Sequence, residues 1–112
     1  MMSKSRTTID SSERRRRLAP IHPGEILSED LQDAGISLNQ LARSLRVPMN
    51  RISAIVNSKR SITADTAMRL ARYFGTTERF WLNLQARFDL EVQRDVLGAR
   101  LAREVRVLDR AS

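Results

Sequence analysis

Two adjacent side chains carry the most specific chemistry in this sequence: Asn50 and Arg51, near the start of the segment Pro48–Asn57. A planar amide can pair with adenine through two hydrogen bonds, and a guanidinium can donate two to guanine. Met49 and Ala54 can contact a thymine methyl group, and Ser53 shares their outward face. Met49, Asn50, Arg51, Ser53 and Ala54 form the candidate base-reading set. The residues around them suit phosphate. Ser37, Asn39, Asn57, Lys59, Arg60 and Thr63 fall at expected helix ends or in a polar loop, where clamps on a nucleic-acid backbone are common. Ser37 and Thr63 are helix caps first, and Asn57 can cap the helix it follows. No Asp or Glu occurs between Asp33 and Asp65, a window holding Arg43, Arg46, Arg51, Lys59 and Arg60. A solvated face normally mixes both signs, so this window points to a surface that meets phosphates.

Catalytic chemistry has little to stand on. A base or nucleophile must be polarised and held by a second group. The chain has one histidine and no cysteine, so disulfides and thiolate metal sites are excluded. His22 stands just before a helix start, without a second ligand at useful spacing, and reads as part of the cap. Glu25/Glu29 and Asp30/Asp33 recur at helical spacings on a surface helix, where carboxylates are solvated. No enzymatic activity, metal or cofactor is expected. The four acids instead make an acidic patch on an otherwise basic domain, a match for a basic protein partner.

The elements that position these groups follow from apolar spacing. A helix starts near Pro23, whose missing N–H suits the first turn. Ile26, Leu27, Leu31 and Ala34 form its stripe, and Gly35 stops it. Ser37 and Gln40 make a capping box for a second helix with Leu41, Ala42 and Leu45 inward. After a turn through Arg46-Val47-Pro48, a third helix buries Ile52, Ile55 and Val56. Thr63 caps a fourth, with Ala67, Leu70, Ala71 and Phe74 inward, ended by Gly75. A fifth begins near Thr77 and buries Phe80, Trp81, Leu84 and Phe88. From about Val92 a further helix is expected, with Leu97, Leu101, Val105 and Leu108 on one face, although Gly98 weakens it by about 1 kcal/mol against alanine. No segment alternates as a half-buried strand does. The expected fold is all-α.

Composition and charge set the frame. The chain has 112 residues, 41% of them hydrophobic, and a net charge of +7, enough for one modest core and suited to a polyanionic partner. Residues 1–20 carry six basic and two acidic side chains, including the run Arg14–Arg17, and read as a flexible basic arm. That arm either touches DNA non-specifically or stays solvated. Residues 21–91 hold the helical domain, and residues 92–112 its C-terminal extension. No apolar stretch follows the N-terminal charges, and none approaches the roughly 20 residues of a membrane span, so a cytoplasmic location is expected.

The segment Leu41-Ala42 … Arg51-Ile52-Ser53-Ala54-Ile55-Val56-Asn57-Ser58-Lys59-Arg60-Ser61-Ile62-Thr63 resembles the Cro/repressor-like (XRE) helix-turn-helix domain. His22-Pro23-Gly24-Glu25-Ile26-Leu27 and Phe74-Gly75-Thr76 … Phe80-Trp81-Leu82-Asn83-Leu84-Gln85 … Phe88-Asp89-Leu90 resemble, more narrowly, the HigA/VapI-type antitoxins. The resemblance spans residues 18 to 94 and leaves both ends uncovered. It implies a five-helix domain and a homodimeric repressor that binds a palindrome in its own promoter and neutralises a RelE-like mRNA-endonuclease toxin. It also implies a dimer interface after the helix-turn-helix, around Phe74, Phe80, Trp81, Leu84 and Phe88. Toxin contact is assigned to Glu25, Glu29, Asp30 and Asp33 on electrostatic grounds. Two other readings stay open. Solitary relatives act as ordinary regulators, and some helix-turn-helix relatives serve RNA or translation. RNA readers stack bases on exposed aromatics, whereas Tyr73, Phe74, Phe80, Trp81 and Phe88 cluster where packing accounts for them.

Overall fold

The computed structural model describes residues 19–110 and builds them into five helices: α1 Pro23–Ala34, α2 Leu38–Leu45, α3 Met49–Val56, α4 Ala64–Phe74 and α5 Glu78–Glu104. The arginine run Arg14–Arg17 and the arm around it lie outside the described residues.

Each boundary has a local cause. His22 caps α1: its Nδ1 accepts the Gly24 N–H at 2.9 Å, while the Glu25 carboxylate accepts the His22 N–H at 3.4 Å. Ser37 and Gln40 satisfy each other across the first turn of α2, at 3.1 and 3.3 Å. The Thr77 hydroxyl accepts the Phe80 N–H at 3.1 Å and opens α5. Thr63 holds the N-cap position of α4 with extended backbone, but its hydroxyl makes no cap bond.

The ends of α1 to α4 share one device. Gly35, Arg46, Ser58 and Gly75 sit in the left-handed region, at φ 68°, 61°, 61° and 72°. The residue after each donates its N–H back into the helix: Ile36 to Leu31, Val47 to Ala42, Lys59 to Ala54 and Thr76 to Ala71. This motif satisfies carbonyls that the helix leaves unpaired and reverses the chain in few residues. Arg46 and Ser58 adopt the same shape with a side chain attached.

The helices close on one core. Leu27 and Leu31 of α1, Leu41 and Leu45 of α2, Ile52 and Ile55 of α3, Leu70 of α4 and Trp81 of α5 are buried together. Ala42 lies where α2 must approach its neighbours, and is buried with them. Gly24 serves a tighter approach. A Cβ there would overlap the Ile55 carbonyl oxygen, so α1 can rest against the last turn of α3 only because Gly24 has none.

The structure departs from the sequence reading at α5. The fifth helix and the expected sixth are one continuous helix of 27 residues, with no break at Val92. Nothing between Phe88 and Val92 disrupts helical backbone, and the i,i+4 pairs Arg87–Glu91 and Arg100–Glu104 bracket the far half. Gly98 is accommodated in that far half. Val105 and Leu108 lie past the helix end at Glu104 and are exposed, so they do not extend the Leu97–Leu101 face. Val56, Phe74, Leu84 and Phe88 are half-buried at the margin of the core. Among the described residues, no helix is long and apolar enough to cross a membrane.

Candidate nucleic-acid interface

α2 and α3 are joined by three residues, and that turn is built from the left-handed Arg46, then Val47, then Pro48. Proline fixes the backbone angle entering α3, and Val47, half-buried, packs on the core. Ile52 and Ile55, both 0% exposed, pin the inner face of α3. The outer face of its first turn is thereby set: Met49 and Asn50 are exposed, whereas Ser53 and Ala54 are half-buried. The Asn50 amide makes no hydrogen bond among the described residues.

Arg51 is held. Its Nη1 donates to Asp65 Oδ1 at 2.9 Å and lies 3.4 Å from the Thr66 hydroxyl, and its side chain is only 25% exposed. Arg69 donates from Nε to the same carboxylate oxygen at 2.8 Å and from Nη1 to the Leu45 carbonyl at 2.8 Å. The cluster links α3, the start of α4 and the end of α2. The Arg69 and Arg51 hydrogen bonds hold the Asp65 carboxyl below its ordinary value of 3.8. Neither Asp65 nor Arg69 was picked out from sequence. Asp65 ends the acid-free window, but its pairing with a residue 14 positions earlier leaves no local signal.

The expected phosphate contacts fall into two groups. Ser37 and Asn39 occupy the start of α2, with the Ser37 hydroxyl engaged in its cap. Asn57, Lys59, Arg60 and Thr63 lie in or beside the loop after α3, all exposed. Asn57 Nδ2 approaches the Ser53 hydroxyl at 3.5 Å, while Lys59 and Arg60 form no ion pair among the described residues. That loop has an anchor which the sequence reading overlooked. Gln85 of α5 is buried, and its Oε1 accepts the Ile62 N–H at 2.8 Å. Its Nε2 donates to Asp89 at 3.0 Å, so both ends of the amide are satisfied.

The aromatic set divides. Trp81, expected inward on the fifth helix and also at the dimer interface, belongs to the protomer's own core: it is 0% exposed, and its indole N–H donates to the Thr76 hydroxyl at 3.0 Å. Phe74 lies 5.9 Å from it and Phe80 packs edge-on at 5.0 Å, leaving no face for a second chain. Phe80 itself is 41% exposed. Phe88 turns its ring onto His22 at 4.8 Å, and Leu84 packs on the core margin. Met68, Tyr73 and Leu90 are exposed apolar residues, so Tyr73 is not packed away as its place among the aromatics suggested.

On α1, Glu25, Glu29 and Asp33 are exposed and spaced by four, hence on one face, with Asp30 half-buried beside them. None of the four forms an ion pair among the described residues. His22 is buried, and burial pushes its imidazole below the ordinary 6.5 against the opposing pull of Glu25 and Asp89. Its capping bond needs an unprotonated Nδ1, which that shift favours. No group of three or more His, Cys, Asp or Glu among the described residues could hold a metal ion.

Comparison with known proteins gives this geometry a family. Residues 27–81 match the helix-turn-helix family model. Virulence-associated protein I of Dichelobacter nodosus is 52% identical over 73 residues, covering 64% of this chain and 68% of that protein. A solved addiction module antidote protein of the HigA family from Coxiella burnetii shares 52% identity at a TM-score of 0.76, over 80% of this chain and 98% of that one. The Pseudomonas aeruginosa antitoxin HigA, solved with the higBA promoter, shares 42% identity at a TM-score of 0.76, over 80% and 99%. With these likenesses on top of its helix-turn-helix geometry, the chain belongs to the HigA/VapI-type antitoxins of the helix-turn-helix family.

Proposed function

We propose that this protein is a sequence-specific DNA-binding antitoxin that represses the operon encoding it and neutralises a RelE-like mRNA-endonuclease toxin. The observation that carries the reading is the exposed first turn of α3, with Met49 and Asn50 facing outward, on a fold shared with an antitoxin solved on promoter DNA. A major groove about 12 Å wide admits such a helix. Met49, Asn50, Arg51, Ser53 and Ala54 read bases, while Ser37, Asn39, Asn57, Lys59, Arg60 and Thr63 position the backbone. Two copies bind together, with Phe80 at the seam and Phe74, Leu84 and Phe88 behind it, so that two recognition helices enter successive grooves about 34–36 Å apart. The unpaired acids of α1 offer a basic toxin a complementary surface.

Selection from a random-sequence DNA pool tests the first half. The expected product is an inverted repeat with half-sites centred about 10 base pairs apart, present upstream of the protein's own gene. A pool that returns no enriched sequence overturns the reading. Co-expression with the small reading frame beside the gene tests the second half. Rescue from growth arrest supports an antitoxin, whereas a selected operator without any rescued toxin leaves a solitary regulator.

A further inference from the structure

The guanidinium of Arg51 has two edges, and the fold occupies one of them. Nη1 is tied to Asp65 Oδ1 at 2.9 Å, with the Thr66 hydroxyl beyond it at 3.4 Å. The opposite edge, formed by Nε and Nη2, makes no hydrogen bond among the described residues. Those two N–H groups lie parallel, which suits the paired acceptors O6 and N7 of guanine. A free arginine side chain loses substantial rotamer freedom when it docks. One already held loses less.

The holder is itself held. Asp65 takes a second hydrogen bond from Arg69 Nε, and Arg69 is fixed in turn by the Leu45 carbonyl at the end of α2. Asp65 belongs to the first turn of α4, where a carboxylate is favoured by the helix dipole. The pair is partly solvated, with side chains 25% and 55% exposed, so its worth to the fold is small. Its geometry serves aim better than stability.

We propose that Asp65 is the positioning residue for base reading: it fixes Arg51 by Nη1 so that the Nε–Nη2 edge is presented to a guanine in the major groove. The proposal rests on α3 being the recognition helix. Arg69 acts through Asp65, as a brace.

The test uses the full chain and a duplex selected by the wild-type protein, with each guanine replaced in turn by 7-deazaguanine, which lacks the N7 acceptor. Wild type is expected to lose on the order of tenfold in affinity at one guanine per half-site. Asp65→Asn and Arg51→Ala each lose that sensitivity, keep their affinity for random duplex within about twofold, and do not add in the double variant. Circular dichroism and melting temperature confirm that both variants are folded. If Asp65→Asn melts lower but retains the full 7-deazaguanine penalty, the ion pair is only structural and the proposal falls. If Asp65→Asn binds the selected duplex more tightly with unchanged sensitivity, Asp65 competes with DNA for Arg51, and the proposal also falls. Should wild type tolerate 7-deazaguanine everywhere while still preferring the selected duplex, Arg51 reads no guanine and the proposal is overturned, although α3 remains the reader. If Asn50→Ala and Arg51→Ala both keep the full wild-type preference for the selected duplex over random DNA, the recognition-helix reading itself is overturned.

Discussion

Gln85, buried on α5, accepts a hydrogen bond from the Ile62 backbone N–H at 2.8 Å across 23 residues of sequence. Ile62 ends the loop that carries Lys59 and Arg60, and its own side chain is 2% exposed. One amide oxygen on α5 therefore fixes the far end of a loop whose near end is fixed by α3. Gln85→Leu keeps the volume and removes the acceptor. Leaving the N–H buried and unpaired is expected to cost about 1–3 kcal/mol, read by urea denaturation. Amide exchange at Ile62 should accelerate beyond that global loss.

Asn50→Ala is expected to weaken binding to the selected duplex by about 1–3 kcal/mol and to relax preference at one position, with random DNA unaffected. Lys59→Ala and Arg60→Ala should act in the opposite way, lowering affinity for all sequences and reducing the salt slope by about one each. A salt titration on both duplexes separates the two behaviours. Equal losses on selected and random DNA from Asn50→Ala would make it a phosphate contact.

His22 makes stability depend on pH. The folded state holds its pKa below 6.5, because burial disfavours the imidazolium and Nδ1 must stay unprotonated to accept the Gly24 N–H. The unfolded chain therefore binds the proton first as pH falls. The contribution is fully present above the unfolded value, declines below it, and is gone once pH has passed the folded value. Melting temperature should drop as pH is lowered through that range. His22→Asn keeps a capping acceptor without titrating, and its profile should be flatter there.

Trp81 and Phe80 are adjacent yet should respond differently. Trp81→Ala empties the core and is expected to cost about 3–5 kcal/mol. Phe80→Ala, at a position 41% exposed, should cost the protomer far less. Sedimentation should instead show a weakened dimer for Phe80→Ala. A variant that sediments as wild type at micromolar concentration would remove Phe80 from the seam.

Reversing charge on α1 addresses the partner. With Glu29, Asp30 and Asp33 changed together to lysine, capture of the cognate toxin should fall, most steeply at low salt, while operator binding holds. Unchanged capture at both salt concentrations would move the contact to the exposed residues of α5 beyond Leu90.

What the sequence determined by itself is local. The His22 cap, the Ser37–Gln40 box and the left-handed Gly35 and Gly75 each involve residues within a few positions, so residue type and spacing disclose them. The buried faces of α2 and α3 were legible for the same reason, since apolar residues at helical spacing need only a core to meet. The tertiary structure decided what lies between elements. Arg51 looked outward by its position on α3, yet α4 places Asp65 within 2.9 Å of it. Gln85 carries no local signal of its role, because its partner Ile62 lies 23 residues away in sequence. Trp81 was assigned to a seam because the core's capacity cannot be judged before the helices are packed, and the Thr76 hydroxyl that satisfies its indole is visible only then. The continuity of α5 through Val92 belongs with these: intrinsic propensity permits a helix there without requiring one, and packing of its first half against α4 and α1 extends it.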